Sequence, residues 1–421
     1  MISRRKFLGT ASTVPLLKSP PRLPTVDKGE KGIAIIATEW AFESLAQQVG
    51  DAFLMGYPYE GKWHQPRARV RSVYVEKNPS SRLIRQRSDE FGMVLYPTIS
   101  ETLRCGKSSI GVDAVLVLAD SGSKPRLTQS DREMCDRYRY FQQIVKIFHE
   151  EQKALPLYFS HFLSDYFKES EIILSTSHKI GSPLMTGSTT PLTWRMPECD
   201  LPYGRAVKEA VVITGRDSEA AEFEALEAMQ SMLERRRGGE TGVRSVQLLK
   251  GDPVWQAASE GRWSQTLLEA ALSRSDKLLG ITLKDARPQD LVNSGVLPEI
   301  VDHPRAYIIE YIDGLKATLL QLRGAIGDLV FSARLAGRTS PLATQFLTVP
   351  MTSGSHSSCL VTKIEEMVNS GVSPCPAERG WLVRGVLEQA EESGVQRGKV
   401  IGTPELKRTY RVPKQSQYIR S

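Results

Sequence analysis

Between residues 33 and 119 the apolar positions come as short continuous runs, separated by stretches where they recur every three or four residues. Continuous runs bounded by turn formers read as strands, and the 3.6-residue period reads as helices with one buried face. The first run, Ile33-Ala34-Ile35-Ile36-Ala37, has the unbroken character of a strand covered on both sides. Glu39 to Met55 then places Phe42, Leu45, Ala46, Val49, Phe53 and Leu54 on one helical face. After a turn-rich interruption at Gly56 to Pro66, the pattern predicts a strand over Val70 to Val75, a helix over Arg82 to Phe91, a strand over Met93 to Tyr96, a short helix over Thr98 to Cys105 and a buried strand over Val112 to Leu118. Farther along, two segments around Asp313-Gly314 alternate with period two, the signature of a hairpin. Strands alternating with helices, followed by a hairpin-bearing region, give an α/β fold.

At 421 residues the chain exceeds what one hydrophobic core usually serves, so two domains are expected. Its 40% hydrophobic and 24% charged residues are those of an ordinary globular protein. The net charge of +7 is scattered, without a basic stripe interleaved with aromatics, which argues against nucleic-acid binding. Cys105, Cys135, Cys199, Cys359 and Cys375 form no C-x-x-C pair, and the six histidines form no H-x-x-x-H or H-x-H pair. A zinc site is not expected on that spacing, nor is a disulfide framework, although one bridge in an exported protein stays open. No apolar run is long enough to span a membrane.

The turn after the first strand is where a nucleotide-binding α/β domain would carry G-x-G-x-x-G, since only glycine lets the backbone approach a pyrophosphate at the helix N-terminus. Here it reads Thr38-Glu39-Trp40. A carboxylate at Glu39 would satisfy the free N–H groups itself, and Trp40 would fill volume a nucleotide needs. At the end of the second strand, Glu76 is placed to bind ribose hydroxyls and Lys77 to favour a 2′-phosphate, or the pair is simply a polar strand end.

Residues 90–105 (EFGMVLYPTISETLRC) followed by VDAVLVLAD resemble the N-terminal domain of the Gfo/Idh/MocA oxidoreductases. The stretches 154–197, with its strand, helix and R-x-x-P-like element, and 359–394, with two closing helices, extend the likeness over roughly residues 32 to 400. The resemblance implies a Rossmann-like domain over 32–195 and an α/β domain with an open, mainly antiparallel sheet over 196–421, the latter forming a substrate cleft and an oligomer face. It further implies NAD or NADP as cofactor and a sugar or polyol as substrate. The family's E-K-P lysine is replaced by His161, in Ser160-His161-Phe162, and its H-x-x-D pair by Glu224 and Glu227. A histidine serves as a general base near neutral pH, and a buried glutamate can be raised into the same range, so a proton-transferring pair could survive. The plainer alternative is that His161 is structural and that Glu224, Glu227 and Glu234, at helical spacing with Arg235 to Arg237, form a solvated helix face. Gly238-Gly239 fits the cap of that helix. Between Asp120 and Gln143 the chain carries a longer, charged excursion than the family's, with Tyr138 and Tyr140, suited to cover the cleft or merely to lengthen the surface. The expected activity is a sugar or polyol oxidoreductase. Two rivals are a carbohydrate- or protein-binding relative that has lost the dinucleotide site and a sugar lyase or hydrolase holding NAD for transient oxidation.

Ser3-Arg4-Arg5-Lys6-Phe7-Leu8 resembles a twin-arginine export signal, with Pro20 to Lys31 as a linker, and places the protein in the periplasm; a basic tail is the alternative. Replacing Arg4 and Arg5 with lysine is therefore expected to retain the protein in the cytoplasm, measured by cell fractionation. Unchanged fractionation would reduce the segment to that basic tail.

Overall fold

The computed structural model describes residues 30–119, 137–278, 290–348 and 357–419. In the first half, β1 (Lys31–Ala37), α1 (Leu45–Met55), a small hairpin of β2 (Tyr57–Tyr59) and β3 (Lys62–His64), β4 (Ala68–Val75), α2 (Arg82–Phe91), β5 (Val94–Leu95) and α3 (Ile99–Arg104) follow one another. They continue into β6 (Ala114–Leu118), α4 (Arg137–Glu150), β7 (Leu157–Ser160), α5 (Phe167–Lys179) and β8 (Leu184–Gly187). The continuous apolar runs demand cover on both faces, and the strands obtain it in a parallel sheet of order β5-β4-β1-β6-β7-β8. The order reverses between β1 and β6, so the crevice beyond the C-terminal strand ends is the place such sheets offer a ligand.

Among the described residues the second sheet has eight strands. β9 (Arg195–Met196), β10 (Val207–Thr214), α6 (Glu219–Leu233), β11 (Val243–Lys250), α7 (Asp252–Ser259), α8 (Gln265–Leu272) and α9 (Leu297–Ile300) lead into β12 (Arg305–Tyr311) and β13 (Lys316–Gln321). β14 (Leu329–Leu335), β15 (Leu342–Phe346), α10 (Ser358–Ser370), α11 (Ala377–Val395) and β16 (Ile401–Gly402) complete the chain. The order is β16-β11-β12-β13-β10-β14-β15-β9, and only the β10–β13 ladder is parallel. The hairpin expected at Asp313-Gly314 joins β12 to β13, with Gly314 at φ 87° closing the turn. One face of this sheet packs on α6 and α11; on the other, Val211, Ile213 and Val330 pack with Leu267 and Leu268 of α8. Two glycines let α11 lie close to the first layer: a Cβ at Gly380 would come within 2.6 Å of Thr186, and one at Gly385 within 2.8 Å of Phe167.

α10 returns from the far end of the chain to the first layer, where Leu360, Ile364 and Met367 share a core with Val49, Phe53 and Val73. Its Glu365 accepts from the Tyr57 hydroxyl (3.0 Å) and the Arg67 N–H (2.8 Å), and pairs with His64 Nε2 (2.8 Å), which fastens the β2–β3 hairpin. No helix among the described residues is long and apolar enough to cross a membrane.

The helix expected from Glu39 starts only at Leu45. Ser44 Oγ accepts from Gln47 N–H at 3.1 Å, and Gln47 Oε1 accepts from Glu43 N–H at 2.9 Å, a reciprocal cap that sets the start by local bonding rather than by periodicity. α6 likewise ends at Leu233 with Glu234 as its cap, not at Gly238-Gly239, which instead supply positive φ to the following turn. Within the first turn, Trp40 folds inward until it is 1% exposed and lies over Gly50, where a Cβ would stand 2.1 Å from its Cη2. Gly50→Ala is therefore expected to destabilise by about 1–3 kcal/mol through overpacking, despite alanine's better helix propensity. In a Trp40→Ala background, itself costing roughly 3–5 kcal/mol, the same change becomes neutral or stabilising. Denaturant titration of the four proteins measures this coupling, and additive effects would rule out the contact.

Candidate functional site

β7 ends at Ser160, paired with Gly187 of β8, and the next residue leaves the strand in a left-handed conformation, His161 at φ 56°. Three bonds hold it there. The His161 N–H donates to the Gly187 carbonyl at 3.1 Å, the Thr186 hydroxyl donates to the His161 carbonyl at 3.1 Å, and the Tyr158 hydroxyl secures the Gly187 carbonyl at 2.8 Å. A non-glycine residue in this region is uncommon, and such over-determined conformations concentrate at functional positions. The geometry turns the imidazole toward α6, where His161 Nε2 lies 3.4 Å from Glu224 Oε1. Phe162 and Phe223 stack edge to face beside the pair at 4.6 Å, and the guanidinium groups of Arg137 and Arg384 lie over Phe162 at 5.7 and 5.6 Å.

Glu224 is bonded on both sides, its second oxygen accepting from Arg216 Nη1 at 2.7 Å. Burial pushes its carboxyl pKa upward, but the His161 hydrogen bond and the Arg216 charge outweigh it and hold the group below its ordinary range. The ionised carboxylate thus faces the imidazole, an arrangement that orients a ring nitrogen and stabilises the imidazolium. Arg216 is half exposed and gave no signal in the sequence beyond being a charged residue after a strand.

Glu227 has a different place. It is 1% exposed and accepts from the Ser188 N–H at 2.8 Å and the Ser188 hydroxyl at 2.7 Å. Gly187, at φ 127°, leaves room for it, since a Cβ there would meet Glu227 Oε1 at 2.0 Å. Burial pushes its pKa up to about 7, against the lowering effects of Arg379 and Ser188. Glu227 therefore braces the strand end that carries His161, one layer behind the imidazole. The expectation of a solvated helix face fails here except at Arg237, which is exposed. Glu224 is mostly covered, Glu227 and Glu234 are buried, and Arg235 and Arg236 are buried with them. Each finds its partner on a neighbouring segment: Arg379 of α11 forks onto Glu234, Asp200 meets Arg235, and Glu240 and Asp313 meet Arg236.

On the cofactor side the candidates do not converge. Thr38 is buried and its carbonyl accepts from the Lys77 N–H at 2.8 Å; Lys77 and Glu39 are exposed. Because α1 begins at Leu45, Glu39 does not sit at the helix N-terminus, and Trp40 is a core residue rather than a wall of the crevice. Glu76 is engaged from α4, accepting from Arg139 and from the Tyr140 hydroxyl at 2.5 Å. A diphosphate does not fit this turn in its ordinary pose: no glycine lets it approach, the Gln47 N–H in the first turn of α1 is taken by Ser44 Oγ, and Glu39 and Glu43 add negative charge nearby. Residues 120–136 of the charged excursion lie outside the described residues, as do Arg4, Arg5, Cys135 and His356; Tyr138 and Tyr140 belong to α4. No group of three or more potential metal ligands occurs among the described residues.

No family model matches the chain, and no curated protein does. Solved structures do. The chain is similar to GenD2 from gentamicin A biosynthesis, solved in complex with NAD, at 13% identity and a TM-score of 0.54 over 91% of this chain and 98% of that one. It is similar to myo-inositol dehydrogenase from Lactobacillus casei, solved with NAD(H) and myo-inositol, at 10% identity and a TM-score of 0.53 over 88% and 96%. Apo scyllo-inositol dehydrogenase from the same organism aligns at 9% identity and a TM-score of 0.53 over 90% and 99%. At these identities the likeness shows the fold, a Rossmann-like parallel sheet joined to a mixed sheet.

Glu227 makes the site's support pH-dependent. Its carboxyl stays protonated in the folded chain up to about pH 7 but ionises near its ordinary 4.5 when unfolded. The folded state therefore binds more protons between those values, and this contribution to stability is lost as pH rises through that window. Urea titrations from pH 5 to 8 should show wild-type stability falling relative to Glu227→Gln up to about pH 7 and then levelling. A difference that does not change with pH would refute the buried, protonated carboxyl.

Proposed function

We propose that the chain takes a sugar or polyol in the crevice at the C-terminal ends of β6, β7 and β8, with His161 and Glu224 as its chemical centre. The observation that carries this is the His161–Glu224 pair, held at a strained strand end where parallel sheets bind ligands. His161 contacts a substrate hydroxyl and holds or releases its proton, Glu224 orients the imidazole, and Arg216 keeps Glu224 ionised. The coarse reading, an oxidoreductase of Gfo/Idh/MocA type using NAD or NADP, is supported by the fold it shares with dehydrogenases solved with NAD and myo-inositol. A second reading is favoured by the turn after β1. Its inward Trp40, self-capped helix and engaged Glu76 suit a relative that binds its carbohydrate without a dinucleotide in the ordinary pose. In either case we propose export through the N-terminal arginine pair.

Calorimetry separates the two. With NAD, NADP and their reduced forms, the second reading expects dissociation constants no tighter than roughly 0.1 mM, about −5.5 kcal/mol. Micromolar binding by any of them restores the oxidoreductase. A panel of inositols and hexoses is expected to contain a ligand whose affinity or turnover falls tenfold or more in His161→Ala with little change in melting temperature. Loss of folding in that variant would make His161 structural.

A further inference from the structure

A cleft remote in sequence from His161 lies between β9, the end of α6, the start of α11 and the closing segment 412–418. Among the described residues Arg195, Arg235 and Arg379 line it, against two carboxylates, Asp200 and Glu234. Asp200 is shared by Arg195 at 2.7 Å and Arg235 at 3.1 Å, while Glu234 is occupied by Arg379. Three cations less two anions leave the wall with one uncompensated positive charge.

Arg195 and Arg235 share that surplus across Asp200, and of the Arg195 donors the Nη atoms are bonded, to Asp200, Pro191 and Cys199. The Arg195 side chain is 2% exposed and its guanidinium lies 4.9 Å from the Phe346 ring and 4.2 Å from the Tyr418 ring. Its Nε has no hydrogen-bond partner among the described residues. Burial also drives its pKa down in spite of Asp200, the mark of a cation whose lost hydration is incompletely replaced. A buried charged donor left unmatched is costly and calls for a water or an ion. The space at the centre of the cleft is about 20 Å3, more than the roughly 10–15 Å3 a water requires. A water would satisfy the donor but not the charge.

We infer that this cleft binds a small monovalent anion, of the size of chloride or formate, against the Arg195 guanidinium. The ion would tie β9, α6, α11 and the C-terminal segment together, and would do so independently of the sugar or polyol crevice. A dianion such as sulfate exceeds the charge surplus.

The test uses the full chain in chloride-free buffer, with ionic strength held constant by gluconate. Formate and chloride are each expected to raise the melting temperature along a saturating curve, as a single-site ligand does, and sulfate to give no saturating component. Ser231→Leu, which fills the cleft without removing a charge, should abolish the saturation. A linear response, or equal saturation in that variant, would overturn the site. Because the variant could itself fail to fold, bromide-soaked wild-type crystals give a second reading. An anomalous peak beside Arg195 Nε supports the site, and a water there with no bromide refutes it.

Discussion

α6 carries Glu219, Glu222, Glu224 and Glu227, with Glu234 as its cap, yet it runs between the two sheets, where a free carboxylate could not remain. Everything around it answers that constraint. Arg384 meets Glu219 at 2.7 Å, Arg305 meets Glu222 at 2.9 Å, Arg216 and His161 meet Glu224, Ser188 meets Glu227, and Arg379 meets Glu234. The partners come from β12, from α11 and from the residues just past the ends of β7, β8 and β10, so satisfying one helix fixes how both layers and the last long helix assemble. A buried pair of this kind adds little net stability over an apolar contact, but losing one partner is expensive, about 3–5 kcal/mol. Its value here is registration: α6 has one rotational setting in which all its acids are met.

The candidate site follows from that setting. Among the side chains just named, His161 is neither a permanent cation nor a hydroxyl, and it reaches its glutamate from a left-handed position beyond a strand end. Glu224 and Glu227 lie three residues apart on one helix but differ in kind. The first faces an imidazole and a guanidinium and stays ionised; the second is buried against Ser188 and Gly187 and holds its proton far longer. Neighbours, rather than residue type, separate the group that addresses a ligand from the group that braces it.

Much of this was legible in the sequence, and the exceptions share a cause. α2 was readable to the residue and β6 closely, because continuous apolar runs and a single buried face leave one solution. The start of α1 was not: Phe42 fits the helical period yet is 77% exposed, and the boundary is decided by the Ser44–Gln47 cap, a two-residue interaction invisible to periodicity. His161 and Glu224 were legible as positions, but their 3.4 Å meeting depends on the twist at Gly187. The burial of the acids on α6 was misread for a general reason. Charge at helical spacing looks solvated until the residues that neutralise it are known, and these lie at positions such as 305, 379 and 384.

The return of α10 to the first layer bears on how the chain acquires its structure in time. The parallel sheet is assembled from residues before 190, but one side of its core is completed by Leu360, Ile364 and Met367, and its β2–β3 hairpin is fastened by Glu365. Contacts spanning some 300 residues are slow to form, since the loop they close must be ordered first. During synthesis the first layer would wait, with an apolar flank uncovered, until nearly the whole chain has emerged. The nascent protein is thus most exposed to aggregation in its earliest-made half.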